Sequence, residues 1–336
     1  MQIINKKHII IGICTFKRNN LLKQFLLSLN DIILPKSTNI TLVLVNNYPK
    51  HHEYIEKLLN QFNFPFSVKF ITEYQQGITF ARNRILKEAY LLNATEIAMT
   101  DDDCQVPKEW LLNLYQVYIE YNATVVTGPV IYKLPDFVSS SIKTSFKLKR
   151  KKLPTGTKCR SSSTNNVLFD ALFVKQSNVI FDNKLKFCGG SDRLFFNTLR
   201  KKGATIRWAN NAYLYETVPK YRASFIWLLM RSFRCGGENT YRLQKNNILL
   251  GTIKVLFISI ITFIGSLLIL PFMLPFSIRI LPFQAFMHSV GLFFSLFGYQ
   301  YKEYLTEQYQ NNQETQETDE ELINNSTMCI INKKIP

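Results

Sequence analysis

Strand-like and helix-like stretches alternate at short spacing through the first hundred residues, and this alternation restricts the fold more than any other feature. "HIIIGICTF" (8–16) is an apolar run of buried-strand length, and "NNLLKQFLLSLND" (19–31) repeats its apolar residues at helical spacing with Asn19 as N-cap. "ITLVLVNN" (40–47), "FSVKFITE" and "EIAMT" read as further strands, with "HEYIEKLLNQF" and "ITFARNRILKEAYLL" as the helices between them. Strands and helices in this order predict βαβ units, hence an α/β protein with a mostly parallel, doubly wound sheet. Such sheets bind ligands beyond the carboxyl ends of their strands. The fourth strand ends in Asp101, Asp102 and Asp103.

Three adjacent carboxylates are out of character here. The 336 residues carry 41 Lys and Arg against 24 Asp and Glu, a formal net charge of +17. That excess points to anionic partners, either phosphorylated molecules or an acidic lipid surface. Nucleic acid is set aside because no recognition motif accompanies the charge. Cys14, Cys104, Cys159, Cys188, Cys235 and Cys329 are scattered without paired spacing, which predicts free thiols in a reducing compartment. The opening "MQIINKKHIIIGICTF" is too short in its apolar run for a secretory signal and reads as the first strand.

The pattern loosens after residue 120. "TVVTGPVIYKLP" (124–135) reads as one strand, 143–160 is strongly basic, and "CGGSDRLFFNTLRKKG" starts a helix at its Ser-Asp. "IRWANNAYLYETVP" reads as a strand pair, and "ASFIWLLMRSFRCGGENTYRLQ" as a helix carrying Arg231 and Arg234. Residues 255–276 and 280–298 then contain no Asp, Glu, Lys or Arg, and only Ser277, Ile278 and Arg279 separate them. Each run is long enough to cross a hydrocarbon core of about 30 Å. The expectation is a transmembrane hairpin; interfacial helices or a packed core are the alternatives. The polar segment 301–336 is expected to be a disordered tail. The chain thus divides into a catalytic unit (1–247), membrane-associating helices (248–300) and the tail.

Alternation along an extended strand would place Asp101 and Asp103 on one face and turn Asp102 away. Two hard oxygen ligands in an open shell suit Mn²⁺ or Mg²⁺ bridging to a diphosphate, whereas an Asx-turn before the next helix is the bland alternative. Gly77 and Arg82 open a helix in a way that suits phosphate or a base carbonyl, and equally suits a solvated basic face. Asp192, after two glycines, reads as either an N-cap or a base held over a cleft.

Taken in order, "HIIIGICTFKRNNLLKQFLLSL", "GITFARN", "TDDDCQVPKEWL", "STNNVLF", "CGGSDRLFFNTLRKKGATIRWANNAYLYETVP" and "RASFIWLLMRSFRCGGENTYR" resemble the inverting glycosyltransferases of family 2, of GT-A fold. The last segment is most similar to the succinoglycan-type sugar transferases. The resemblance covers roughly residues 8–245. It implies a GT-A type, Rossmann-like mixed sheet, with Thr15, Lys17, Arg18, Asn46, Gly77, Arg82, Asp101 and Asp102 facing the nucleotide-sugar. It further implies Asp101 and Asp103 on the metal, and Asp192 as the base that deprotonates the acceptor hydroxyl. There are two departures from the family pattern. Ser191 stands where an acid commonly precedes the catalytic Asp, and Asn46 and Asn47 stand where an Asp commonly reads the base. The implied function is hexose transfer from a nucleotide-sugar, UDP-linked by expectation, to a lipid-linked or surface polysaccharide. The site would lie at the cytoplasmic, anionic face of the cell membrane. The rival is a catalytically impaired membrane scaffold, suggested by Ser191.

Overall fold

The computed structural model describes residues 7–149 and 153–305. The basic stretch 143–160 is therefore described only in part, and the tail beyond 305 lies outside the described residues. The chain begins β1 (Lys7–Thr15), α1 (Asn19–Asn30), β2 (Thr38–Asn46), α2 (His52–Leu59), β3 (Ser67–Thr72), α3 (Ile78–Leu91) and β4 (Glu96–Asp101), the alternation that the apolar spacing predicts. It continues through β5 (Cys104–Gln105), α4 (Trp110–Glu120), β6 (Val125–Thr127), β7 (Val130–Lys133), α5 (Ser140–Lys149), β8 (Asn166–Asp170), α6 (Ala171–Gln176) and α7 (Ser191–Lys201). Two strands, β9 (Ile206–Trp208) and β10 (Leu214–Thr217), precede three helices, α8 (Phe225–Gln244), α9 (Ile248–Met273) and α10 (Ile280–Leu296).

Seven strands form a mixed sheet in the order β3-β2-β1-β4-β8-β6-β9. β3, β2, β1 and β4 run parallel, and β8 is antiparallel to both its neighbours. Parallel strands covered on both faces need apolar residues at successive positions, and β1 supplies them: Ile9, Ile10, Ile11 and Ile13 are fully buried. Ile9, Ile11 and Ile13 pack with Leu22 and Phe25 of α1 and Trp110 of α4. Ile10 faces the other way, toward Ile85 of α3 and Phe195 and Phe196 of α7. The register pairs Cys14 with Asp101 and Thr15 with Asn46, so the carboxyl ends of β1, β2 and β4 share one edge.

Three local expectations need correction. The stretch 124–135 is two strands, since β6 belongs to the large sheet and β7 joins β5 and β10 in a second, three-stranded one. Pro129 has no N–H to give a ladder, and a side chain on Gly128 would collide with the Ala212 carbonyl. β9 and β10 likewise fall in different sheets rather than pairing. Asn19 is the first helical residue of α1, with Arg18 at the cap position. Asn166 fastens the crossover at Pro129. Its amide donates to Pro129 O (3.0 Å) and Ala212 O (2.8 Å), and its Oδ1 accepts from Trp110 Nε1 at 2.8 Å.

The C-terminal apolar region folds as the two expected helices, but unequally. α9 is 26 residues long with Pro271 inside it, and α10 is 17 residues long. By length and composition, α9 is the one described helix fit to cross a membrane.

Candidate active site

The carboxyl edge of β1, β2 and β4 opens into a cavity of about 690 Å³. Its first wall is the acidic triplet. β4 ends at Asp101, and Asp102 and Asp103 already lie in the following turn. Strand alternation therefore stops at Asp101, and the expectation that Asp102 turns away from a working pair is wrong. Asp102 and Asp103 share one guanidinium: Arg18 Nη1 donates to Asp102 Oδ1 and to Asp103 Oδ2, each at 3.0 Å. Thr15 Oγ1 donates to Asp102 Oδ2 at 2.8 Å, and Arg222 Nη1 reaches Asp103 Oδ2 at 3.4 Å. Asp101 is the open member. Its side chain is 35% exposed against 3% and 6% for the other two, and its nearest cation is Arg82 Nη2 at 3.8 Å.

Loss of bulk water inside the cavity pushes Asp101 up to about 6 even though its tip is open; the Arg82 cation opposes the shift, while Asp103 and Asp102 add to it. Burial likewise raises Asp102 against the pull of Arg18. Crowded carboxylates that resist ionisation are those a divalent cation would relieve. Among the described residues, no three His, Cys, Asp or Glu side chains stand together as a ready-made metal site. The hard carboxylate oxygens on offer are those of Asp101, which is open, and of Asp103, which a cation would share with Arg18 and Arg222. Such a set fits Mg²⁺ or Mn²⁺ completed by substrate oxygens, and does not fit a thiophilic metal.

α3 supplies the adjoining rim. Gly77, at φ 137°, precedes the helix, and its N–H donates to Asn47 Oδ1 at 2.8 Å. Asn47 also donates to Glu73 O and Gln75 O, so its amide fixes the loop between β3 and α3. One turn into the helix, Arg82 donates to Ser191 Oγ at 3.0 Å, which bridges the rim to the second wall.

That second wall is the turn at Gly189 and Gly190 together with the start of α7. Both glycines have left-handed backbones, at φ 83° and 73°. A Cβ on either would lie 2.7 Å from a carboxylate oxygen of Glu238, so the turn rests on that side chain. Asp192 follows, its Oδ1 accepting from the Arg193 N–H at 2.8 Å. Glu238 comes from α8, far along the chain. Its Oε1 lies 3.2 Å from Arg234 Nε and has no hydrogen-bond partner among the described residues. Burial raises the Glu238 carboxyl, Arg234 lowers it, and the Asp192 charge raises it further. Arg234 also pairs with Glu303, whose Oε1 accepts from Trp227 Nε1 at 3.0 Å.

Thr15, Arg18, Gly77, Arg82, Asp101, Asp102, Asp103 and Asp192 thus line one cavity. Lys17 and Asn46 are not among its lining residues. The Lys17 ammonium sits 4.8 Å from the centre of the Tyr48 ring. Asn46 is fully buried and spends its amide locally, donating to Tyr48 O and accepting from Tyr48 N, each at 2.9 Å. Fully buried and bonded to Tyr48, Asn46 does not face the cavity, whereas Asn47 lines it.

Sequence reasoning missed Glu216, Arg222 and Glu238. Glu216, on β10, lies beside the triplet because β10 pairs with β5, Glu216 opposite Cys104. Its Oε2 accepts from Asn165 Nδ2 at 3.2 Å. Burial and Asp103 push it up to about 7, against Arg222. A lone Glu in "YLYETVP" carries no signal of this; only the strand pairing reveals it.

Residues 10–177, half of the chain, match the family model for glycosyl transferase family 2. The succinoglycan biosynthesis protein ExoM of Rhizobium meliloti (strain 1021) is 28% identical over 243 residues, 68% of this chain and 73% of ExoM. Among solved structures, S. aureus TarS 1-349 in complex with UDP-GlcNAc is 14% identical, with a TM-score of 0.49, over 88% of this chain and 93% of that one. A longer TarS structure is 18% identical, with a TM-score of 0.47, over 68% of this chain and 39% of that one. With the family match spanning β1 to α6 and the acidic strand end inside it, the chain belongs to glycosyl transferase family 2 and is a glycosyltransferase.

Proposed function

We propose that this enzyme transfers a hexose from a nucleotide-sugar, UDP-linked by preference, to a lipid-linked or surface polysaccharide acceptor, with inversion at the anomeric carbon. The observation that carries the reading is the pairing of two walls in one cavity: a carboxylate triplet neutralised in part by arginines, and Asp192 on a glycine turn facing the same space. Asp101 and Asp103 would hold Mn²⁺ or Mg²⁺, which supplies charge neutralisation for the donor diphosphate.

The chain's own groups do the rest. Asp192 takes the proton of the acceptor hydroxyl as its oxygen bonds to the anomeric carbon. The bond from that carbon to the phosphate oxygen breaks, and its electron pair leaves with the diphosphate. Attack opposite the leaving group inverts the centre. Arg18 and Arg82, half-buried and fixed by carboxylate or hydroxyl partners, offer preorganised positive charge to the developing anion. Ser191, the residue that suggested a scaffold without chemistry, is employed here: it accepts from Arg82. The test is a screen of UDP-, GDP- and dTDP-sugars for Mn²⁺-dependent binding and turnover. Turnover that survives both EDTA and Asp103→Ala would overturn the metal assignment.

The same reading places the catalytic unit at an anionic membrane face through its apolar C-terminal helices. An exposed helix as apolar as α9 needs a cover that water cannot provide.

A further inference from the structure

α9 passes the length test for a membrane span: 26 residues give about 39 Å of helix against a hydrocarbon core of about 30 Å. Its attachments argue otherwise. At its start, Gly251 abuts the backbone of Leu243 and Gln244, and Gln244 Nε2 donates to Thr252 Oγ1 at 2.9 Å. That end of α8 is itself tied to the catalytic unit, since Tyr241 Oη and Lys245 Nζ both donate to Asp182, at 2.8 and 2.7 Å.

The far end of α9 is tied as well. After the turn at 274–279, Arg279 Nε donates to Ser141 Oγ of α5 at 3.2 Å. Ile280 is fully buried in a cluster with Ile142, Phe146, Val218 and Leu228. From there α10 runs back along α8 at backbone contact, where Gly291 leaves no room for a side chain against Phe233. Ser259 Oγ donates to Ser289 O at 2.9 Å and joins α9 to α10 at mid-length. A helix whose two ends both rest on one soluble body cannot place them on opposite sides of a bilayer.

What α9 shows to the outside is apolar. Its buried residues, Gly251, Val255, Ser259 and Ser266, mark the side against its neighbours. Phe257, Ile261, Ile264, Leu268 and Phe272 descend the outer face at helical spacing and are 51–73% exposed, with Phe257 and Leu268 at 66% and Ile261 at 54%. Among the described residues, Lys254 of α9 and Arg279 after its turn are exposed cations, Lys245 at its start pairs with Asp182, and the single acid of α8, α9 and α10 is Glu238, which faces the cavity. A continuous apolar face rimmed by cations fits an anionic lipid surface.

We infer that α9 lies in the plane of the membrane, immersed in one leaflet, and that α10 is a strut inside the catalytic body; the enzyme is monotopic. This rests on the proposed membrane location, and the test separates the two. The full chain is synthesised cell-free in the presence of sealed phosphatidylcholine–phosphatidylglycerol vesicles. Ser277→Cys, in the turn after α9, and Tyr74→Cys, on the catalytic surface, are probed with a membrane-impermeant maleimide of high mass, read as the shift above that of the parent chain. The expectation is that both are modified from outside. Phe257→Glu with Leu268→Glu should lower the vesicle-bound fraction about tenfold while leaving nucleotide-sugar binding intact. Modification of the Cys at 74 with protection of the one at 277 means that α9 spans, and overturns the in-plane placement alone. Failure of the parent chain to bind vesicles, or a dimer in buffer that the double Glu variant dissociates, overturns the membrane location itself.

Discussion

The two walls of the cavity are built on opposite principles. The acidic wall is a strand end with a two-residue turn pinned between ladders: β4 is locked between β1 and β8, β5 just beyond pairs with β10, and the carboxylates receive arginines from three separate segments. The Asp192 wall is a turn, two glycines in left-handed conformation seated on a carboxylate that arrives from α8. A strand end keeps its geometry when one partner is lost, because the ladder holds it. A turn keeps its geometry only while its support stays. The acidic wall should therefore respond chiefly to changes in its own residues, and the Asp192 wall also to changes far away in sequence.

The largest expected effect lies on the second wall. Asp192→Asn keeps the shape of the side chain and removes its basicity, so kcat should fall by about 10³-fold with donor binding unchanged. Near wild-type turnover would assign the base elsewhere. On the first wall, Asp103→Asn leaves Arg18 and Arg222 without one of their carboxylates and takes a hard ligand from the cation. Turnover should drop about 100-fold, and donor binding should lose its dependence on Mn²⁺, as read by calorimetric titration with and without EDTA.

The sharpest test of the comparison is Glu238→Gln, which touches neither wall's own residues. If Glu238 sets where Asp192 stands, kcat falls about tenfold while donor KM holds, and Glu238→Asp recovers part of the loss. Equal losses in donor KM would mean that both walls lean on α8, and the contrast between them would disappear.

A smaller effect concerns the tie that holds α8. Burial raises Asp182, but the hydrogen bonds from Lys245 and Tyr241 outweigh it and leave its carboxyl below the ordinary 3.8. A carboxyl lowered in the folded state contributes stability above its unfolded value, and that contribution is lost as the pH falls below 3.8. Asp182→Asn should therefore flatten the acid side of the melting curve. The effect should stay below about 1 kcal/mol, since the Lys245 side chain is 41% exposed and the pair is screened by water.

The acidic wall was legible in the sequence because its residues are neighbours. "TDDD" at the end of an apolar run, a Gly before "ITFARN" and Arg18 after the first strand each sit within a few positions of the backbone feature that presents them. The reading failed where it extended a local rule past its range. Strand alternation was carried two residues beyond the end of β4, and Asn46 was assigned to the ligand although its amide closes a turn on Tyr48. Glu216 and Glu238 carried no signal at all. One reaches the site through strand pairing between β5 and β10, the other through a helix laid across the glycine turn.

Apolar composition teaches the same lesson. Ile10 of β1 and Ile261 of α9 belong to equally apolar runs, yet one is fully buried and the other more than half exposed. By itself the sequence determined the order of elements, the strand edge that opens into the cavity and the acidic groups at that edge, because periodicity and strand ends are local properties of the chain. Tertiary structure decided which distant carboxylates join the site, and on which side of the protein the two ends of α9 lie. Those depend on contacts between residues that the sequence keeps far apart.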